Sequence, residues 1–228
     1  MKRFTLLLAA TVAVTLLATS VQAGIIATVA TGGNYTFNVL STDAADANQG
    51  GTTLFTGTAN YSSDPDMVIN GLVYGEEGVN QTNYSLTPSV GDTLILNLAP
   101  TALGFGWDIE KIVVLTGVSS DALGRSDHSY TIALSTDGSQ FGTSIINVHD
   151  STTALEVQVT IEHDAGALLG TGVKAVRFVF DNATSYEENI YREIDVVGTA
   201  TIPEPSSLAL LAAGLIGLLC VRRRRRGK

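Results

Sequence analysis

The chain has 228 residues and a formal net charge of −9, a length that one all-β domain with processing segments accounts for. The charge is divided: residues 24–201 hold five cations against 21 acids, a net −16, and the other eight cations lie at the two ends. A body this anionic is repelled by phosphate backbones, which excludes nucleic acid as a partner, and the single cysteine, Cys220, excludes a disulfide within the body.

Residues 1–23 read as an export signal. Lys2 and Arg3 precede an apolar run, and Val21, Gln22 and Ala23 put small residues where a signal peptidase cuts. Cleavage between Ala23 and Gly24 is expected, with the Sec machinery and signal peptidase as partners.

The body from residue 24 to 201 is read as strands. Near its start, NYTFNVL (34–40) and TTLFTGTA (52–59) are candidates, and TLILNL sets Leu94, Leu96 and Leu98 on one side. IEKIVVLTG is apolar on both faces from Ile112 to Leu115, as a central strand would be. SYTIALS alternates Tyr130, Ile132 and Leu134 with Thr131, Ala133 and Ser135, which predicts a dry face and a wet one. ALEVQVTIE does so with Leu155, Val157, Val159 and Ile161 against Glu156, Gln158, Thr160 and Glu162, and AVRFVF with Val176, Phe178 and Phe180. Turn signals lie between them: Asn70-Gly71, Thr136 to Gly138, where Gly138 suits a hairpin, and Asp181 to Thr184. Short strands without crossover helices predict an all-β, antiparallel β-sandwich; a closed barrel is the alternative. With about 178 residues, such a body can bury roughly 70% of its unfolded surface.

Signals for chemistry are sparse. His128, His149 and His163 show no metal-ligand spacing, and Glu162-His163-Asp164 reads as a solvated strand end. Ser62 to Asp66 and Gly75 to Gly78 cluster carboxylates that a hard cation such as calcium could use, but neither completes a calcium-loop pattern, so no metal residue and no cofactor is assigned. Nucleophile elbow, zincin motif and phosphate-cradling loop are all lacking, so no catalytic residue and no enzyme activity are expected. Trp107 stands beside Ile109 and is expected in the core rather than as an exposed sugar platform.

The residues GFGWDIEKIVVLTG (104–117), GRSDHSYTIALSTDGSQF (124–141), VKAVRFVF (173–180) and YREIDVVG (191–198) resemble the discoidin-like branch of the galactose-binding-like jelly rolls, over roughly residues 70–198. The resemblance implies glycan or surface binding by an ectodomain spanning 24–201, with no ligand residue transferable. That family's usual terminal cysteine pair is missing.

Residues 202–228 resemble the PEP-CTERM sorting signal of Gram-negative exported proteins. Its three parts stand in order: Pro203, Glu204 and Pro205; an apolar run carrying Leu208, Leu210, Leu211, Leu215, Ile216, Leu218, Leu219 and Val221; and the basic cluster Arg222, Arg223, Arg224, Arg225 and Arg226. The run from 208 to 221 would make a transmembrane helix of about 21 Å against a hydrocarbon core of about 30 Å, a marginal span. The arginines hold its end on the cytoplasmic side, and the prolines keep the segment before it extended and open to a protease. By resemblance the reader is an exosortase, a membrane transpeptidase-like enzyme. The expectation is therefore a non-catalytic protein, inserted transiently in the inner membrane and then delivered to the cell surface or matrix, where it binds glycan or structures exopolysaccharide. The alternatives are a matrix protein without a specific ligand and a secreted carbohydrate-active hydrolase.

Overall fold

The computed structural model describes residues 24–31, 43–57, 65–70, 86–117, 126–151, 154, 156–181 and 189–202. The expected strand at 34–40, the signal segment at 1–23, the carboxylates at 62–64 and 75–78, and the tail from 203 onward lie outside them.

Ten strands are described: β1 (Ile25–Thr31), β2 (Thr52–Thr56), β3 (Thr93–Asn97), β4 (Trp107–Gly117), β5 (His128–Ser135), β6 (Ile146–Asp150), β7 (Glu156–His163), β8 (Gly170–Val173), β9 (Ala175–Phe180) and β10 (Tyr191–Ala200). They form two antiparallel sheets, β1-β7-β4-β10 and β2-β3-β9-β5-β6. β8 pairs with β4 at Trp107 and Ile109, taking over the edge that β7 leaves at Lys111. The all-β antiparallel sandwich expected from the alternation is the fold observed, and among the described residues the only helices are two 3₁₀ turns, Ala47–Gln49 and Pro65–Ile69. No described helix is long and apolar enough to cross a membrane.

The core lies between the sheets. Ile112, Val114, Val157, Val159, Ile161, Ile194 and Val196 from one sheet share a single buried cluster with Leu94, Leu96, Tyr130, Ile132, Val176, Phe178 and Phe180 from the other. The register explains this: Ile112 faces Ile161 and Val196, and Val114 faces Val159 and Ile194, so one parity of three strands forms a dry surface. Val113 and Leu115 on the opposite parity are buried as well, as expected for β4, and the turn Pro65–Ile69, with Val68 and Ile69 buried, packs on neighbouring β10.

Two expectations need correction. Ala133 and Ser135 were assigned to the wet face of β5, yet both are buried, with only Thr131 of that face partly exposed, while Leu134, assigned to the dry face, is only partly buried. The 136–145 connection folds back over them, with Gly142 N donating to Leu134 O and the Arg177 guanidinium 4.8 Å from the Phe141 ring centre. That connection is also too long for the tight hairpin assigned to Gly138. Gly138 does take a positive φ, but the loop is held by Asp137 Oδ1, which accepts from Ser135 Oγ and from the backbone N–H groups of Ser139 and Gln140. These bonds hold the Asp137 carboxyl down at about 2.

Gly106 fixes the entry to β4. It has φ +86°, and a Cβ there would meet Gly172 O at 2.6 Å and Val173 O at 2.7 Å, both backbone atoms. Gly106→Ala is expected to destabilise the fold by about 2–3 kcal/mol, a loss of roughly 5–10 °C by differential scanning calorimetry.

Candidate functional site

The strand register gives the sandwich two distinct ends. At one, β4 begins, β7 and β10 finish, and the chain both enters and leaves: Asp164 N donates to Gly24 O at 3.1 Å, and Thr201 N to Gly106 O at 2.9 Å. We call this the exit end. At the far end β4 finishes, β5 begins, β6 leads to β7 and β9 leads to β10. Residues 118–125, between β4 and β5, and 182–188, between β9 and β10, lie outside the described residues.

At the far end sits a buried polar group. His128 Nε2 lies 2.9 Å from Thr116 Oγ1 and 3.2 Å from Val157 O, and its Nδ1 lies 3.2 Å from the Tyr130 hydroxyl. A carbonyl only accepts, so Nε2 carries the hydrogen and Nδ1 accepts from Tyr130. Burial pushes His128 down to about 4 and the Tyr130 hydroxyl up, so the ring is neutral at ordinary pH. With both nitrogens engaged, His128 is a structural residue, not a metal ligand. His149 meets Ser129 Oγ at 3.2 Å through Nδ1, and His163 lies 3.4 Å from Asp164 with Glu162 and Asp164 exposed, the solvated strand end that the sequence suggested.

Among the described residues, the carboxylates that come together lie outside the expected calcium loops, which are mostly not described. Asp43, Glu193 and Asp195 each offer an oxygen, all within 4.8 Å of one another. Asp43 Oδ1 accepts from Ala45 N and Val196 N, both at 3.0 Å, which ties residues 43–45 to the outer edge of β10. Glu193 and Asp195 share one face of β10 by alternation. Burial raises Asp195 to about 7, with repulsion from Asp43 and Asp46 adding to it and Lys111 opposing. Burial likewise raises Asp43 to about 6. Asp46 Oδ2 is buried nearby without a hydrogen-bond partner among the described residues. Such a group of oxygens either retains a proton or accepts a hard cation, which prefers several oxygen ligands. Asp66, from the expected loops, instead accepts from Thr53 Oγ1.

Trp107 is in the core, as expected. It is 8% exposed, and its Nε1 donates to Ala99 O at 2.7 Å. The exposed aromatic at this end is Phe105, between Gly104 (φ +71°) and Gly106, and sequence reasoning missed it. The glycines on both sides were the available signal, since they allow a turn that turns the ring outward. Of the other assigned positions, Gly24 is exposed at the start of the fold. Ala23, Pro203, Glu204, Pro205, the apolar run and the arginines are outside the described residues.

Three solved structures similar to the sandwich are the first family 32 carbohydrate-binding module of a family 31 glycoside hydrolase from Clostridium perfringens (15% identity, TM-score 0.43, covering 65% of this chain and 94% of that one), the lectin domain of lectinolysin complexed with Lewis B antigen (13%, 0.45, 71% and 100%), and an F5/8 type C domain from Bacteroides fragilis (12%, 0.41, 68% and 95%). No curated protein matches the chain. Where the described fold stops, a known signal begins: residues 201–225 match the PEP-CTERM protein-sorting motif, which implies export and membrane-anchored processing.

Proposed function

We propose that this chain is an exported, non-catalytic protein that an exosortase-type membrane transpeptidase sorts by reading Pro203, Glu204 and Pro205, and whose sandwich then binds glycan or structures exopolysaccharide at the cell surface. The observation that carries the reading is the sorting-motif match at 201–225, directly after the last strand at Ala200. Leu208 to Val221 serves as a short transient anchor, with Arg222 to Arg226 on the cytoplasmic side.

The geometry supports a ligand at the far end. β4 alone has 11 residues, about 36 Å at the rise of a strand, so a body tethered through Thr201 carries the end of β4 at Gly117 and the start of β10 at Tyr191 about that far from its exit. The discoidin-like motifs supply the glycan class; the favoured alternative is a matrix component without a specific ligand.

Replacing Pro203, Glu204 and Pro205 with alanines is expected to leave full-length chain in the inner-membrane fraction, while the parent protein matures and loses Lys228. Equal release of the mutant, read by mass spectrometry of the intact protein, would reduce the tail to a plain anchor. A glycan array probed with matured protein, with and without calcium, decides between lectin and ligand-free component: retention on some glycans supports the first, and none in either condition supports the second.

A further inference from the structure

The exit end carries an apolar protrusion that the core does not use. Leu103 and Phe105 in the β3–β4 loop are 62% and 50% exposed, and Ile202 is 77% exposed. The bond from Thr201 N to Gly106 O places Ile202 beside Phe105, and Thr201 Oγ1 donates to Asp108 Oδ1 at 2.6 Å, while that carboxylate also accepts from Gly172 N at 3.1 Å. The Asp108 carboxylate is thus engaged within the fold, and the exposed acids Glu162 and Asp164 at this end belong to the end of β7 and not to this loop. Residues 98–107 hold no charged side chain in a body of net charge −16. Beside the loop lies an open cavity of about 280 Å³, walled by Leu98, Pro100, Thr101 and Trp107, with Lys174 contributing the only cation. Scattered apolar side chains on a surface need no explanation, but a cluster at one tip marks a contact.

We propose that this tip is a foot that rests on the lipid bilayer while the chain is anchored, with Leu103, Phe105 and Ile202 entering the headgroup layer and setting the height at which Pro203 to Pro205 are offered to the membrane enzyme. The proposal rests on the sorting reading above. Its geometry follows from chain length: five residues separate Ile202 from Leu208, so the exit end stands no more than about 20 Å from the hydrocarbon boundary. The intervening headgroup layer is about 5–8 Å thick. An acidic body held that close needs an uncharged surface facing the lipid, and this tip supplies it. Apolar and aromatic side chains favour that layer.

The test uses the full-length chain with Cys220→Ser and either Phe105→Cys or Val90→Cys, labelled with bimane and reconstituted in phosphatidylethanolamine–phosphatidylglycerol vesicles that carry a spin-labelled lipid. Val90 is as exposed as Phe105 but belongs to the Ser89–Gly91 turn near the end of β9, away from the exit. The expected result is that lipid quenches position 105 at least about twofold more than position 90. Equal quenching in chain that resists carbonate extraction overturns the foot and leaves the anchor standing. Extraction of the chain by carbonate overturns both, through the failure of the anchor. A disulfide-linked dimer formed by the unlabelled Phe105→Cys, Cys220→Ser chain under air oxidation, with no excess quenching at position 105 in the labelled chain, assigns the tip to a second copy of the chain and overturns the lipid contact.

Discussion

Tyr191→Ala is expected to lower the unfolding free energy by about 3–5 kcal/mol, a Tm shift of about 6–20 °C at about 2–4 °C per kcal/mol, and Tyr191→Phe by only about 1 kcal/mol. Tyr191 is the first residue of β10 and 1% exposed. Its ring centre lies 4.8 Å from Phe180, 5.9 Å from Tyr130 and 6.3 Å from His128, so it joins the two sheets at the far end. Its backbone exchanges both hydrogen bonds with Leu86, at 2.8 and 3.0 Å, which ties the chain before β3 to the same point. The hydroxyl accepts from Ser129 N at 3.5 Å, a long bond, and also bonds the Asn189 side chain, and burial makes it less acidic than an ordinary phenol. Removing that oxygen therefore costs little, whereas removing the ring leaves a cavity between the sheets. Urea unfolding of both variants checks the pair. A Tyr191→Ala loss below about 1 kcal/mol would mean that this corner is looser than the aromatic contacts imply.

The same corner shows what could be read from the sequence and what could not. β3, β7 and β9 were legible because each has neighbours on both sides and one dry face, so their side chains repeat with period two, and β4, buried on both faces, was legible as a continuous apolar run. β1 was not: six of its seven residues are exposed, and it pairs only with β7, so burial imposed no alternation on IIATVAT. β6 is likewise an edge, with Val148 its only buried residue, and the four residues Gly170–Val173 of β8 carry no pattern at all. Ala133 and Ser135 misled because the loop that covers them is polar, and no local rule places Phe141 and Arg177 over a neighbouring strand. The sorting signal was legible in full because it depends on order along the chain rather than on folding. The carboxylate group was illegible for the opposite reason: Asp43 meets Asp195 through pairing across 153 residues, as the Val196 N to Asp43 bond records.

That carboxylate group makes the second large effect one of pH. Asp195 and Asp43 are raised to about 7 and about 6 from an ordinary 3.8, so the folded chain holds protons that the unfolded chain has released. Their contribution is present in full below pH 4 and is lost as pH rises through 6 and 7. His128, lowered to about 4 from 6.5, acts in the other sense: the unfolded chain takes a proton that the folded one refuses, and stability falls as pH drops from 6.5 toward 4. Two acids outweigh one imidazole, so the net slope between pH 4 and 8 is downward. In chelator, Tm at pH 8 is expected to lie about 5–10 °C below Tm at pH 5. Asp195→Asn keeps the side-chain volume and removes the charge, so it should flatten most of that slope, while His128→Gln should steepen it. Calcium discriminates the two fates open to the site. If Asp43, Glu193 and Asp195 accept a cation, millimolar calcium restores Tm at pH 8 in the parent and not in Asp195→Asn, because binding to the folded state alone adds stability by mass action. If they only share a proton, calcium leaves both curves unchanged. A Tm that rises steadily from pH 5 to pH 8 in chelator would exclude both, since it requires these carboxylates to be as comfortable ionised in the fold as in water.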